Sequence, residues 1–232
     1  MSSLPSLSQA PLHLPTPAQV QTIAALCDRR WDYYYTRSKL SSDPVYAAVV
    51  REIADCLMPV LDVGCGIGLL GQYLRMSGHT AAITGFDYDE RKIASAQVMA
   101  RRSRHEKLTF SAGDARLGLP NFQGHVVILD ILQFFTETEQ NDLLRAAAAR
   151  VAPGGKLIIR TGLRDRSRRF QITVLGDYLA KVSFWMKAAP THYPDAEQFQ
   201  RVLTAAGLQV SLQPMWGGTP FNNHLVVGYR EG

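Results

Sequence analysis

Cysteine is scarce in this chain: Cys27, Cys56 and Cys65 are the only three in 232 residues, an odd set without a C-x-x-C pair. No histidine stands beside them at ligand spacing. A disulfide framework and a structural zinc site are thereby excluded as expectations, no metal is called for, and a reducing, cytoplasmic setting is the default. Long apolar runs are also missing; none approaches the roughly 18 residues that cross a bilayer, so no transmembrane segment is expected. Charged residues are only 19% of the chain and the net charge is +5, an excess too small to require nucleic acid as a partner. Residues 1–17 lack a basic start and are broken by Pro5, Pro11, Pro15 and Pro17, which argues for a flexible leader rather than a signal peptide. What is present is an apolar fraction of 46%, ample for a packed core. There are no internal repeats, and the length fits one domain over 18–232.

Residues 18–58 carry helical periodicity in two pieces, split by Ser41-Ser42-Asp43-Pro44. The second piece sets Val45, Val49, Ile53 and Leu57 at intervals of four. Val60 to Val63 reads as a buried strand that runs straight into Gly64-Cys65-Gly66-Ile67-Gly68 and a helix through Met76. Strands follow at 81–86, 107–111, 125–129 and 156–160, alternating with helices started by Asp89 and by the Thr136/Glu139 capping box. That alternation predicts an α/β, Rossmann-like, doubly wound, mostly parallel sheet. Beyond the fifth strand, Phe170, Val174, Tyr178, Val182 and Trp185 share one helix face, the centre of a helical cap over 163–194. A helix over 195–206 precedes strands at 208–212 and 225–229. The loop between them contains Gly217-Gly218-Thr219-Pro220, so a terminal antiparallel hairpin completes seven strands.

A strand, a glycine-rich turn and a helix N-terminus together aim backbone N–H groups at a polar ligand, and glycine permits close approach. Gly66, Gly68 and Gly71 make a formal G-x-G-x-x-G, which suits a dinucleotide as well as other nucleoside cofactors. The surrounding acids separate the cases. Asp62 stands two residues before Gly64, where it opposes a pyrophosphate but suits an ammonium group. Asp87 ends the second strand near the roughly 20-residue spacing at which an acid reaches ribose hydroxyls. Asp114, in Ala112-Gly113-Asp114-Ala115, follows the third strand and can accept from an adenine amino group. Amino-acid, ribose and adenine recognition at three successive strand ends describes S-adenosylmethionine. A nicotinamide-dependent oxidoreductase using the same glycines, and a non-catalytic S-adenosylmethionine-binding protein, are the competing readings.

Leu61-Asp-Val-Gly-Cys-Gly-Ile-Gly68 resembles motif I of the class I S-adenosylmethionine-dependent methyltransferases. Thr84-Gly-Phe-Asp87-Tyr-Asp and Gly113-Asp114-Ala115 resemble the two acidic motifs that follow it. Val151-Ala-Pro-Gly-Gly-Lys156 is similar to the turn before that family's fifth strand, and the terminal hairpin to its reversed seventh strand. The likeness covers about residues 58–232. It implies that Gly64, Cys65 and Gly66 lie under the methionine part with Asp62 facing its ammonium, that Asp87 holds the ribose, and that Tyr88 lies on the adenine while Asp114 and Ala115 read its edge. It also places Asp130 between sulfur and acceptor. Where the family often has a histidine three residues later, this chain has Gln133.

Transfer of a methyl group from a sulfonium needs an in-line nucleophile, with a base only when the acceptor must lose a proton. Three stretches outside the common core are candidates for the acceptor. The first is Trp31-Asp-Tyr33-Tyr34-Tyr35 with Lys39, where Tyr35 can lid the cofactor and Lys39 can meet its carboxylate. The second is Arg160, Arg164, Arg166, Arg168 and Arg169, five guanidinium groups in ten residues. They suit an anionic acceptor or an acidic acyl carrier protein. The third comprises His192 and His224, the candidate bases, with His192 preferred for its place after the cap. Phe170, Tyr178, Phe184, Trp185 and Met186 favour an aromatic or acyl-type small molecule. A loose likeness to bacterial methyltransferases of aryl-polyene or fatty-acid-like pathways, carried by Arg160-Thr-Gly-Leu-Arg-Asp165 and Trp216-Gly-Gly-Thr-Pro-Phe-Asn-Asn-His224, implies the same. Methylation on oxygen and on carbon both remain open, as does the oligomeric state.

Overall fold

The structure is a computed structural model that describes residues 12–182, 190–216 and 218–232. Seven strands run β1 (Val60–Val63), β2 (Ile83–Asp87), β3 (Leu108–Ala112), β4 (His125–Leu129), β5 (Lys156–Gly162), β6 (Gln209–Pro214) and β7 (Asn223–Tyr229). They form one sheet in the order β3-β2-β1-β4-β5-β7-β6. Every residue of β1 is buried, as a strand covered on both faces must be, and its sequence is accordingly a short apolar run broken only by Asp62. The chain divides into two compact units between Val127 and Ile128.

In the first unit β1 pairs with β2 and β2 with β3, all parallel, with Asp62 opposite Gly85 and Asp87 opposite Ala112. Helices α4 (Leu69–Met76) and α5 (Glu90–Ser103) are the crossovers, and Asp89 caps α5 by accepting from Arg91 N–H. Ahead of β1 there are three helices rather than two: α1 (Pro17–Ala24), α2 (Arg30–Ser42) and α3 (Val45–Ile53). A Thr16/Gln19 capping box starts α1, at the last residue of the stretch expected to be a leader; residues 1–11 of that leader lie outside the described residues. α3 stops at Ile53, and Leu57, expected on its apolar stripe, is 63% exposed.

In the second unit the sheet closes as expected: β5 pairs with β7 and β7 with β6, both antiparallel. α6 (Glu137–Ala148) begins at the Thr136/Glu139 capping box, and α8 (Ala196–Ala205) at Asp195, which accepts from Gln198 N–H. The cap is α7 (Arg168–Val182). Phe170 lies edge-on to Tyr193. Phe184, Trp185, Met186 and the side chains of Tyr178 and Val182, on which the aromatic lining was argued, lie outside the described residues, as does Gly217.

Candidate cofactor and acceptor site

The turn after β1 is built from backbone. Gly64 N–H and Cys65 N–H both donate to Phe86 O, at 2.8 and 3.1 Å, and Gly68 N–H donates to Cys65 O at 2.9 Å. Gly64, Gly66 and Gly68 all have positive φ, at 75°, 55° and 80°, a region that side chains other than glycine enter at a cost. The glycines divide by what surrounds them. A Cβ on Gly68 would stand 2.6 Å from the Phe110 ring, and one on Gly71 2.8 Å from Leu108; a Cβ on Gly66 would meet nothing within 4 Å. Gly68 and Gly71 are small because Phe110 and Leu108 press against α4. Gly66 is small at an open face.

Asp87 stands at the end of β2 and ties the turn to the next helix: Oδ2 accepts from Gly66 N–H at 3.0 Å and Oδ1 from Asp89 N–H at 2.8 Å. Asp62 differs. It is 2% exposed, and its Oδ2 has no hydrogen-bond partner among the described residues. Burial, with the negative charge of Asp87 added, pushes its carboxyl up to about 7. Burial also pushes the Cys65 thiol up, which makes it a packing residue of the turn rather than a nucleophile. Tyr88 is half-exposed beside Asp87. Asp114 caps the short 3-10 helix Ala115–Leu117 through Arg116 N–H at 2.9 Å, with Ala115 as its first residue. The glycine turn, Asp62, Asp87, Tyr88, Asp114 and Ala115 thus share the C-terminal ends of β1, β2 and β3, where open α/β sheets bind ligands.

Lys39 is drawn instead to Asp43, 2.6 Å away across one turn at the end of α2, so the structure supplies its ammonium with a protein carboxylate. Tyr35 is half-buried in α2.

Of the five arginines that are close in sequence, one is withdrawn from the surface. Arg160 lies inside β5, is 5% exposed, and its Nη2 donates to Asp130 Oδ2; a buried, paired guanidinium cannot dock a carrier protein. Asp130, with φ at 58°, accepts from Arg160 through Oδ2. Arg164 donates to Asp195 Oδ2 at 2.7 Å and holds that carboxyl below its usual range. Arg169 stacks 4.5 Å from the Trp216 ring and donates to Thr219 O. Arg166 and Arg168 remain at the surface.

His224 is engaged through Nδ1 with Asn222 O at 3.1 Å and lies edge-on to Trp216. His192 is placed differently. Its N–H and that of Thr191 donate to Gln133 O, at 3.4 and 2.7 Å, so its loop is laid on the short 3-10 helix Leu132–Phe134 that follows β4. His192 Nε2 is buried without a hydrogen-bond partner among the described residues. Two buried residues of this region escaped the reading of the sequence, Gln140 and Gln198. Each occupies a core position of an amphipathic helix, among Leu143, Leu144 and Ala147 on α6 and beside Phe199 and Val202 on α8. A glutamine on an apolar stripe was the signal available.

The "Methyltransferase domain" family matches residues 60–155, from the start of β1 to the turn before β5. Among curated proteins, the chain is similar to the ubiquinone biosynthesis O-methyltransferase of Bordetella avium (strain 197N), 26% identical over 203 residues, 85% of this chain and 80% of that protein. The enzyme of the same name from Xanthomonas euvesicatoria pv. vesicatoria (strain 85-10) is 28% identical over 203 residues, 83% and 81% of the two chains. Among solved structures, magnesium protoporphyrin IX methyltransferase from Synechocystis PCC 6803, determined with bound SAH, superimposes with a TM-score of 0.65 at 18% identity, covering 92% of this chain and 94% of that one. The domain match over residues 60–155 and the similarity to these O-methyltransferases support a class I S-adenosylmethionine-dependent methyltransferase.

Proposed function

We propose that this enzyme methylates a hydroxyl oxygen of a small aromatic acceptor, and that residues 18–232 act as one methyltransferase domain. The residues at the ends of β1 to β3 fit the cofactor. The orphaned, buried oxygen of Asp62 suits the cofactor's ammonium, since a buried acceptor gains most from a charged donor. The open face at Gly66 admits its methionine part, over Gly64 and Cys65. Asp87 is set for the ribose hydroxyls, and Tyr88, Asp114 and Ala115 for the adenine. S-adenosylmethionine supplies a methyl group on a sulfonium: the acceptor oxygen bonds to that carbon as the carbon–sulfur bond breaks, the electron pair stays on sulfur, and the hydroxyl proton is lost.

His192 carries the acceptor chemistry in this reading. Its Nε2, buried and without a partner among the described residues, would serve as the base for that proton, which methylation of a hydroxyl requires and methylation of a stronger nucleophile does not. The names of the curated relatives support oxygen as the atom methylated. An acceptor delivered on an acidic carrier protein would meet Arg164, Arg166 and Arg168, which are exposed, but not Arg160, which is buried and paired with Asp130. The test is calorimetric titration with S-adenosylmethionine and with NADH, followed by a methylation assay on 3,4-dihydroxybenzoate and 4-hydroxycinnamate. S-adenosylmethionine is expected to bind, Asp87→Ala to abolish binding, and His192→Ala to lower kcat at least about 100-fold with cofactor binding intact. Tight NADH binding without S-adenosylmethionine binding, or full activity in His192→Ala, overturns the reading.

A further inference from the structure

Gln140 and Gln198 lie where apolar side chains belong. Gln140 is fully buried and Gln198 4% exposed. Burying a carboxamide costs about 1–3 kcal/mol unless it is hydrogen-bonded, and here both are. Gln140 Nε2 donates to Leu132 O at 2.9 Å, to Phe135 O at 3.3 Å and to His192 O at 2.9 Å. Gln198 Nε2 donates to Gln140 Oε1 at 3.1 Å and to Asn141 Oδ1 at 3.0 Å. The donation to Gln140 Oε1 fixes which end of the Gln140 amide faces the three carbonyls.

The carbonyls of Leu132 and Phe135 belong to the turn after Asp130; the third belongs to the loop that carries His192. Turn and loop are therefore tied twice, by the N–H groups of Thr191 and His192 on Gln133 O and by the side chain of Gln140. The loop is also held at its far end, where Arg164 N–H donates to Pro194 O at 2.8 Å. Methionine or leucine would fill the space of Gln140 and avoid the cost of burying an amide, but neither could fix the loop against the turn. In the midst of these ties His192 Nε2 and Gln133 Oε1 are buried and without hydrogen-bond partners, two polar atoms held in place with nothing in the described residues to serve.

We propose that Gln140 is a positioning residue for methyl transfer, holding the loop of His192 at a fixed height on the Leu132–Phe134 turn, with Gln198 orienting its amide. The proposal rests on the reading of His192 as the base. Position matters because a displacement of about 1 Å in a group that must meet the acceptor costs on the order of 100-fold in rate.

The test is Gln140→Met, read in two ways. The first needs no acceptor: the carbethoxylation rate of His192 by diethyl pyrocarbonate, followed by peptide mass spectrometry with exposed His105 as reference. In the native chain His192 is expected to react at least about tenfold more slowly than His105, and in Gln140→Met the gap is expected to close. The second is methylation of 3,4-dihydroxybenzoate. There kcat is expected to fall by about tenfold or more with KM for S-adenosylmethionine unchanged, and Gln140→Met to add no loss in a His192→Ala background. Unchanged protection of His192, unchanged kcat, or additive losses overturn the proposal. If 3,4-dihydroxybenzoate is not methylated by the native enzyme, the acceptor reading fails separately and the protection ratio still decides the role of Gln140. Should Gln140→Met not fold, Gln198→Met is read in the same two ways.

Discussion

Asp62 and Asp87 occupy neighbouring strands yet meet opposite surroundings. Asp87 accepts two backbone N–H groups, whereas Asp62 has a buried oxygen with no partner among the described residues. Burial and the charge of Asp87 raise the Asp62 carboxyl from 3.8 to about 7. Between those values the folded chain keeps a proton that the unfolded chain has lost, so this residue's contribution to stability falls as pH rises through that window. A change from 3.8 to about 7 corresponds to about 4 kcal/mol in favour of the protonated form. Without cofactor, Asp62→Asn is expected to melt above the native chain at pH 8, while binding S-adenosylmethionine at least about tenfold more weakly. Melting curves with a calorimetric titration check both, and native affinity in the variant would remove Asp62 from the cofactor site. The glycines give a second contrast. Gly68→Ala meets the Phe110 ring at 2.6 Å at a positive φ, and is expected to cost about 3 kcal/mol of stability. Gly66→Ala meets only the strain of its φ, about 1 kcal/mol, and its main effect is expected on cofactor affinity. Urea unfolding and titration of the two variants separate packing from binding.

At the scale of elements, the second unit is joined by a single asparagine as much as by its strands. Asn222, just before β7, is buried and uses its amide and backbone together. Its Nδ2 donates to Leu163 O and to Asp165 Oδ2, each at 2.8 Å, its N–H donates to Thr173 Oγ1 on α7 at 2.8 Å, and its carbonyl accepts from Leu163 N–H at 3.1 Å. β5, the loop after it, the cap helix and the terminal hairpin are thus joined at one residue. Asn222→Ala leaves the Leu163 carbonyl without that donor and is expected to cost about 2 kcal/mol, with earlier proteolytic cleavage within α7 as the sign that the cap has loosened. Proteolysis timed against urea unfolding checks this: cleavage that tracks global stability alone would deny Asn222 its local role. The helix starts at Thr136, Asp89 and Asp195 were readable because a cap and its partner lie within a few residues. The break between α1 and α2 was not, since neither glycine nor proline marks residues 25–29.

For the whole molecule, pH acts through two buried groups of the first unit in opposite senses. His79 is buried beside Arg75, which donates to Ala81 O at 2.7 Å and also to the His79 carbonyl, and near His125, which is bonded to Cys56 O. Burial, with Arg75 and His125 adding positive charge, pushes the His79 imidazole below its ordinary value. Below about 6.5 the unfolded chain takes a proton that the folded chain refuses, so the contribution of His79 is lost as pH falls. Asp62 gains over part of the same interval. The melting temperature of the native chain is therefore expected to vary gently between pH 5 and 7. Asp62→Asn is expected to steepen the loss toward acid, and His79→Gln to flatten or reverse it. A set of melts on the native chain and the two variants decides; parallel profiles in all three would mean that neither group governs the pH response.

The sheet, the glycine turn and the acids at the ends of β1, β2 and β3 were legible in the order of residues. Each rests on a local signal: apolar runs of strand length, glycines directly after a buried strand, a carboxylate at a strand end. The same local signals misled where a side chain's partner lies far along the chain. Five arginines within ten residues read as one surface, yet Arg160 is buried and reaches back to Asp130, while Arg164 pairs with Asp195 and Arg169 lies on Trp216. The alternation along β5 and the docking of the loops settle those pairings. Whether a glycine spares room for Phe110 or opens a face, and whether a glutamine on an apolar stripe is an error of pattern or a fastening for His192, depends on atoms that only the folded chain brings within hydrogen-bond or contact distance. The sequence by itself determined the fold and the cofactor. Tertiary structure decided which charges are spent inside, because ion pairs and buried amides are settled by neighbours in space, not in sequence.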